Sequence, residues 1–252
     1  MKFAWIALLF IVTMPVASAQ DAKAPDGAQL LNDLTAANKE KDSTVIAALV
    51  PKIAEYGKAA KDKKVIDGLA KELTTSYKVC KGNWGTLRGI LDTLGTLRSS
   101  KGESLLKKAA FMKDADNEDQ ISIQVHGLHA IGQFADKKYV DKIVDASKSR
   151  ENKIAIAAYE TLKNYGIAKG KVRKEVAENL MKRIEAEYPY TTNANSTNPG
   201  EAAIKRWGEV QKPIIAALQS VCHESTIADI DNWREWWKEN KKNAKRWKDK
   251  KA

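Results

Sequence analysis

The sequence predicts an all-α chain built as an α–α superhelix, a solenoid of about four to five helical hairpins, and three observations predict it. A hexapeptide recurs at twice a helical-repeat period, apolar residues recur at helical spacing through the same region, and the alternation of Val, Thr and Tyr that marks strands is scarce. With 43% hydrophobic and 30% charged residues, the chain can bury a sizeable core and is not disordered by composition.

The first element is a targeting segment. Met1-Lys2 opens with a positive charge, Phe3 to Met14 is apolar apart from Thr13, Pro15 breaks the run, and Ala17-Ser18-Ala19 supplies small residues. This order is that of a secretory signal peptide, residues 1–19, cleaved after Ala19. The apolar run is shorter than the roughly 20 residues a membrane span needs, so export to the periplasm or the exterior is expected rather than anchoring. Cleavage leaves 233 residues and lowers the net charge from +11 to +10, because Lys2 is lost. Residues 20–42 then form a lead-in and a capping helix.

Repeats fill residues 43–187. Asp62-Lys63-Lys64-Val65-Ile66-Asp67 returns as Asp136-Lys137-Lys138-Tyr139-Val140-Asp141, 74 positions on, or two units of 37. A second series runs Ile53-Ala54-Glu55-Tyr56-Gly57, Leu94-Gly95-Thr96-Leu97, Ile131-Gly132-Gln133-Phe134 and Leu162-Lys163-Asn164-Tyr165-Gly166. Each places an apolar residue and, three positions later, an aromatic or leucine on one helical face. The units read as paired helices: 43–57 with 63–78, 84–98 with 102–113, 118–134 with 137–148, and 152–166 with 171–187. An amphipathic hairpin cannot cover its stripe alone, so the pairs must stack. In the connector at 114–118, Asp and Asn are suited to cap the following helix.

The Ala-Ile-Gly and Leu-Gly sequences near the ends of the first helices, each followed by a polar turn and a second amphipathic helix, resemble HEAT repeats. Asp231-Asn232-Trp233-Arg234-Glu235-Trp236-Trp237 is also similar to the Trp-Arg-x-Trp-Trp ending of exported bacterial HEAT-repeat proteins. The resemblance implies a protein-binding architecture and, for the tryptophans, a structural role.

Residues 188–200 interrupt the array with Pro, Thr, Asn and Ser, and include the glycosylation sequon Asn195-Ser196-Thr197. Helices are expected to resume at 201–222, kinked or divided by Pro213, and at 229–247. Residues 201–240 make the last repeat and its cap, in which Trp233, Trp236 and Trp237 at i, i+3 and i+4 form one apolar face over the open end of the stack.

Catalytic signatures are missing. The chain has no Gly-rich phosphate loop, no G-x-S-x-G elbow, no H-E-x-x-H and no C-x-x-C, and only three histidines. A non-enzymatic protein without a cofactor is expected. His126 and His129 are the one local pair with metal-ligand spacing, yet a site needs three or four ligands, with Asp119 the nearest further candidate. Cys80 and Cys222 lie about three repeats apart, beyond disulfide reach in a linear stack, and are expected as separate buried thiols.

The strongest surface signal is the tail, residues 241–252. From Arg234 to the C-terminus there are nine Lys/Arg against three acids, a net +6. Lys241, Lys242, Lys245, Arg246, Trp247 and Lys248 combine charge with an aromatic, as residues that meet an anionic polymer or membrane surface do. Little apolar content follows Lys241, so a frayed basic extension is expected there. The expected partner is another protein, bound along the concave face, with the anionic surface as the alternative. Nucleic acid is not the expected partner.

Overall fold

The computed structural model describes residues 26–189 and 200–249, and the expected signal peptide, the sequon and the last three residues lie outside the described residues. Aspartate and asparagine start most of the helices. Asp26, Asp42, Asp62, Asn83, Asn117, Asp136 and Asp229 each accept a hydrogen bond from a backbone N–H two or three residues on. Such caps satisfy N–H groups that the first helical turn leaves open, at about 1 kcal/mol each.

The chain forms α1 (Gly27–Glu40), α2 (Ser43–Ala59), α3 (Lys63–Val79), α4 (Trp84–Leu97), α5 (Glu103–Ala110) and α6 (Glu118–Gly132). A 3-10 turn at Lys137–Tyr139 leads into α7 (Val140–Ala146), and α8 (Asn152–Lys163) ends in a second 3-10 turn. Three longer helices follow: α9 (Gly170–Glu187), α10 (Glu201–Cys222) and α11 (Ile230–Asn240). No strand occurs among the described residues. Helix α10 runs unbroken through Pro213, which the sequence places as a kink or division. Losing one N–H bond is tolerable here because Val210, Ile214 and Ile215, on both sides of the proline, are buried against α8 and α9.

Helices α2, α4, α6, α8 and α10 form a continuous row, each packing on the next. The recurring motif explains how. Ile53, Leu94, Ile131 and Leu162 are all buried, and the glycine in each motif faces the next helix of the row. Gly57 meets Leu97, Gly95 lies over Ala130, Gly132 abuts Thr161, and Gly166 abuts Ser220. At Gly95 an added Cβ would fall 2.8 Å from the Ala130 Cα, so any side chain would push α4 and α6 apart.

The remaining helices flank the row, and here the pairing differs from the sequence reading. That reading joins each row helix to the helix after it. The broader packing is instead with the helix before it: α1 on α2, α3 on α4, α5 on α6, α7 on α8 and α9 on α10. Small residues decide this for α5 and α6, where Gly127 sits against the backbone of Ala109 and Ala110, 2.5 Å from the Ala110 N to an added Cβ. The pairing of the helices is therefore offset by one from the expected frame.

Candidate binding surfaces

A ladder of polar contacts crosses the exposed side of the row at the repeat spacing. Arg88 donates to the Ser122 hydroxyl (3.2 Å), Arg98 to Gln133 (3.3 Å), and Lys153 pairs with Glu118 (2.6 Å). His126 Nδ1 lies 2.8 Å from the Asp92 carboxylate, and His129 Nε2 lies 2.9 Å from Glu160. All five pairs join residues 31 to 35 apart in sequence, so they link equivalent positions of successive row helices. The two imidazoles therefore reach opposite neighbours, α4 and α8, rather than converging. Three residues apart on α6, they point about 60° from each other, enough for each ring to meet a different helix. No group of three or more His, Cys, Asp or Glu that could hold a metal ion occurs among the described residues, and Asp119 joins neither pair.

Shallow grooves run between row helices. One of about 310 Å³ lies between α6 and α8, with Ile121, Val125 and Ile156 in its lining and Glu118, Lys153 and Glu160 also bordering it. Another, of about 400 Å³ between α2 and α4, is lined by small residues including Ala47, Ala54, Gly85 and Gly89.

The C-terminal end is built around tryptophan. Trp233 is fully buried, while Trp236 and Trp237 are half-buried. The chain does not continue as helix to 247 or fray as a basic extension. It turns after Asn240 and folds back, so that Trp247 is only 9% exposed, edge-on to Trp236 at 6.3 Å and to Trp237 at 6.1 Å. The Trp247 indole N–H donates to the Asn240 carbonyl (3.0 Å), one of the carbonyls freed at the end of α11.

Two further contacts hold the return. The Asp249 carboxylate accepts from the Gly170 N–H at 2.5 Å, capping α9 from a distance of 79 residues. The buried Arg173 donates to the carbonyls of Val221 (3.0 Å) and Lys248 (3.4 Å) and lies 6.0 Å from the Trp247 ring. Burial lowers the Arg173 pKa, but a guanidinium stays charged at neutral pH. Gly170 is required: an added Cβ would stand 1.8 Å from the Trp247 carbonyl oxygen.

The return divides the tail residues proposed to contact an anionic surface. Trp247 is internal, and Arg246 stacks over Trp236 (5.1 Å) and pairs with Glu224 (3.3 Å). Lys245 and Lys248 are exposed. Lys241 and Lys242 line a groove of about 540 Å³ between α9 and α11. Lys174, Lys182, Arg234 and Lys238 also border it, with Met181 and Trp237 as apolar lining. Sequence reasoning missed the α9 half of this groove, although Lys174, Glu178 and Lys182 recur every four residues, the spacing of one helical face.

Both cysteines are buried free thiols. Burial raises the Cys80 pKa and pushes the Cys222 thiol up to about 12, so neither is a thiolate nucleophile at neutral pH. His223, beside Cys222, is engaged elsewhere: its Nε2 lies 2.8 Å from the Gly166 carbonyl and its Nδ1 lies 3.4 Å from Arg173. No helix among the described residues is long and apolar enough to cross a membrane.

Compared with known proteins, the chain matches no family model, no curated protein and no solved structure.

Proposed function

We propose that this chain is an exported, non-catalytic helical-repeat scaffold that binds another protein along the exposed side of its row helices. On this reading the architecture is a HEAT-like α–α superhelix and the destination is the periplasm or the exterior. The observation that carries it is the continuous row α2–α4–α6–α8–α10, whose glycine contacts recur at equivalent positions. A row of this kind presents a long surface from successive repeats. Its polar ladder fixes the side chains of that surface before any partner arrives, which lowers the ordering cost of binding.

The test places a photocrosslinking residue at Asp92, Lys153 or Glu160 on the row, and at Lys71 or Lys142 on flanking helices as controls; all five are exposed. Discrete crosslinks to one protein from the row positions, absent from the controls, are the expected result. Crosslinks confined to the controls, or none from any position in the native envelope fraction, overturn the proposal.

A second reading, contact with an anionic polymer or membrane through the tail, has lost Trp247 to the core. What remains of it is the lysine-lined groove.

A further inference from the structure

Helix α11 docks beside α9 through large side chains rather than close backbone approach, and this spacing leaves the groove open. Trp233 is fully buried, and Arg234 bridges across to Glu185 at 2.8 Å while lying 5.1 Å from the Tyr188 ring. Six cations and two acids border the opening, for a net +4. The two acids are each engaged once, Glu178 by Lys182 (2.9 Å) and Glu185 by Arg234. Lys174, Lys238, Lys241 and Lys242 form no ion pair among the described residues. Four uncompensated ammonium groups therefore surround a pocket whose lining includes Met181 and Trp237. Charge complementarity calls for carboxylates at the rim, and the thioether and indole call for an apolar side chain between them.

The same geometry separates the kinds of anion. Phosphate is held best by the two-pronged fork of a free arginine, but Arg234 is already committed through Nε and Nη2 to Glu185 and through Nη1 to Asp231. Glu178 and Glu185 in the wall would repel a continuous polyanion, whereas a peptide can space its charges around them. A lipid surface is flat, while this site is a groove, and the tail tryptophan suited to a headgroup layer is turned inward.

We infer that the α9–α11 groove binds an acidic peptide segment, one that carries an aromatic or leucine side chain between carboxylates. This rests on the protein-binding reading and names the chemistry of one segment of the client. Lys238, Lys241 and Lys242 on one wall and Lys174 on the other hold the carboxylates, and Met181 with Trp237 receives the apolar side chain.

The test uses the chain from residue 20 to 252 and a fluorescein-labelled peptide, Glu-Asp-Phe-Glu-Asp-Leu-Glu, read by anisotropy. Hexaglutamate, inorganic polyphosphate and vesicles of phosphatidylglycerol with phosphatidylcholine serve as comparators. Binding of the peptide at low salt, weakened about tenfold by the K238E/K242E double variant, is the expected result, since each reversal turns a weak, exposed attraction into a repulsion. Hexaglutamate should bind several-fold less tightly, for want of the apolar contact. Both lysines are exposed, so the variant should keep its melting temperature and helical circular dichroism. If that variant unfolds, the milder K242Q in the same assay should weaken binding two- to threefold, in line with one exposed charge pair. Three outcomes overturn the inference: no peptide binding, binding indifferent to both lysine variants, or polyphosphate or vesicles bound more tightly than the peptide. Row-face crosslinks that persist in K238E/K242E would keep the scaffold reading even if the groove fails.

Discussion

Replacing Trp247 by alanine tests whether the basic tail belongs to the fold. The indole is 9% exposed, edge-on to Trp236 and Trp237, and donates to the Asn240 carbonyl. Returning roughly 160 Å² of indole to water costs about 4 kcal/mol at ~25 cal/mol per Å². The lost hydrogen bond adds about 1 kcal/mol. Freedom regained by the loosened return offsets about 2 kcal/mol of this. The net loss is about 3 kcal/mol, at the lower end for Trp-to-Ala changes. For a chain of this size that lowers Tm by about 6–12 °C, measured by circular dichroism at 222 nm and by urea titration. Gly170→Ala should produce a similar loss from the other side, because its Cβ would meet the Trp247 carbonyl oxygen at 1.8 Å. The two losses should not add, since either variant alone displaces the return. Lys248→Ala, with an exposed side chain, should change stability by less than about 0.5 kcal/mol. A W247A loss below about 0.5 kcal/mol, or full additivity with G170A, refutes the folded-back tail and restores a free basic extension.

Two tryptophans of α11 should separate by burial: Trp233→Ala costs about 4 kcal/mol and Trp236→Ala, half-buried, about 2 kcal/mol, and equal losses in chemical denaturation would count against the packing described. Glu187 accepts from Arg206 at 2.7 Å and pairs with Arg183, tying α9 to α10; its alanine variant should lose about 3 kcal/mol, because two guanidinium groups are left together. Burial raises the Glu187 pKa, but the hydrogen bonds and charges of Arg206 and Arg183 outweigh it and hold the group below its ordinary 4.5. The folded pKa is thus the lower one, so this stabilisation is whole above about pH 4.5 and is lost as pH falls through the folded value; a wild-type-minus-E187Q difference that grows on acidification would contradict it. Cys222, pushed up to about 12, should resist iodoacetamide at pH 8 in the native protein and react once urea unfolds it, as followed by mass spectrometry; rapid native alkylation would show an accessible thiol.

Much of the helical order was legible in the residues themselves. Apolar spacing of three and four, with Asp or Asn ahead of the helices, marks elements whose driving interactions are local, and the observed helices follow them closely. The recurring apolar-Gly motif marked equivalent positions, but not that its glycines face the next row helix. Nor did it show that each row helix packs more broadly on its predecessor than on its successor. That choice depends on clearance between helices distant in sequence, such as Gly127 over Ala110, which local periodicity does not encode.

The candidate sites were less legible. His126 and His129 share one helix and so appear to the sequence as a pair. Only the stacking of α4 and α8 on either side of α6 sends them to separate carboxylates. The tail reads as solvated because its charge density is high and its apolar content low. Asp249 finds its partner in Gly170 and Trp247 in Arg173, each more than seventy residues away. By itself, then, the sequence determined an all-helical chain, its caps and the equivalent positions of its motif, because these depend on neighbours within a few residues. The tertiary structure alone decided the order of packing, the inward turn of the tail and the groove between α9 and α11. Each of these is set by which distant surfaces fit closely enough to exclude water.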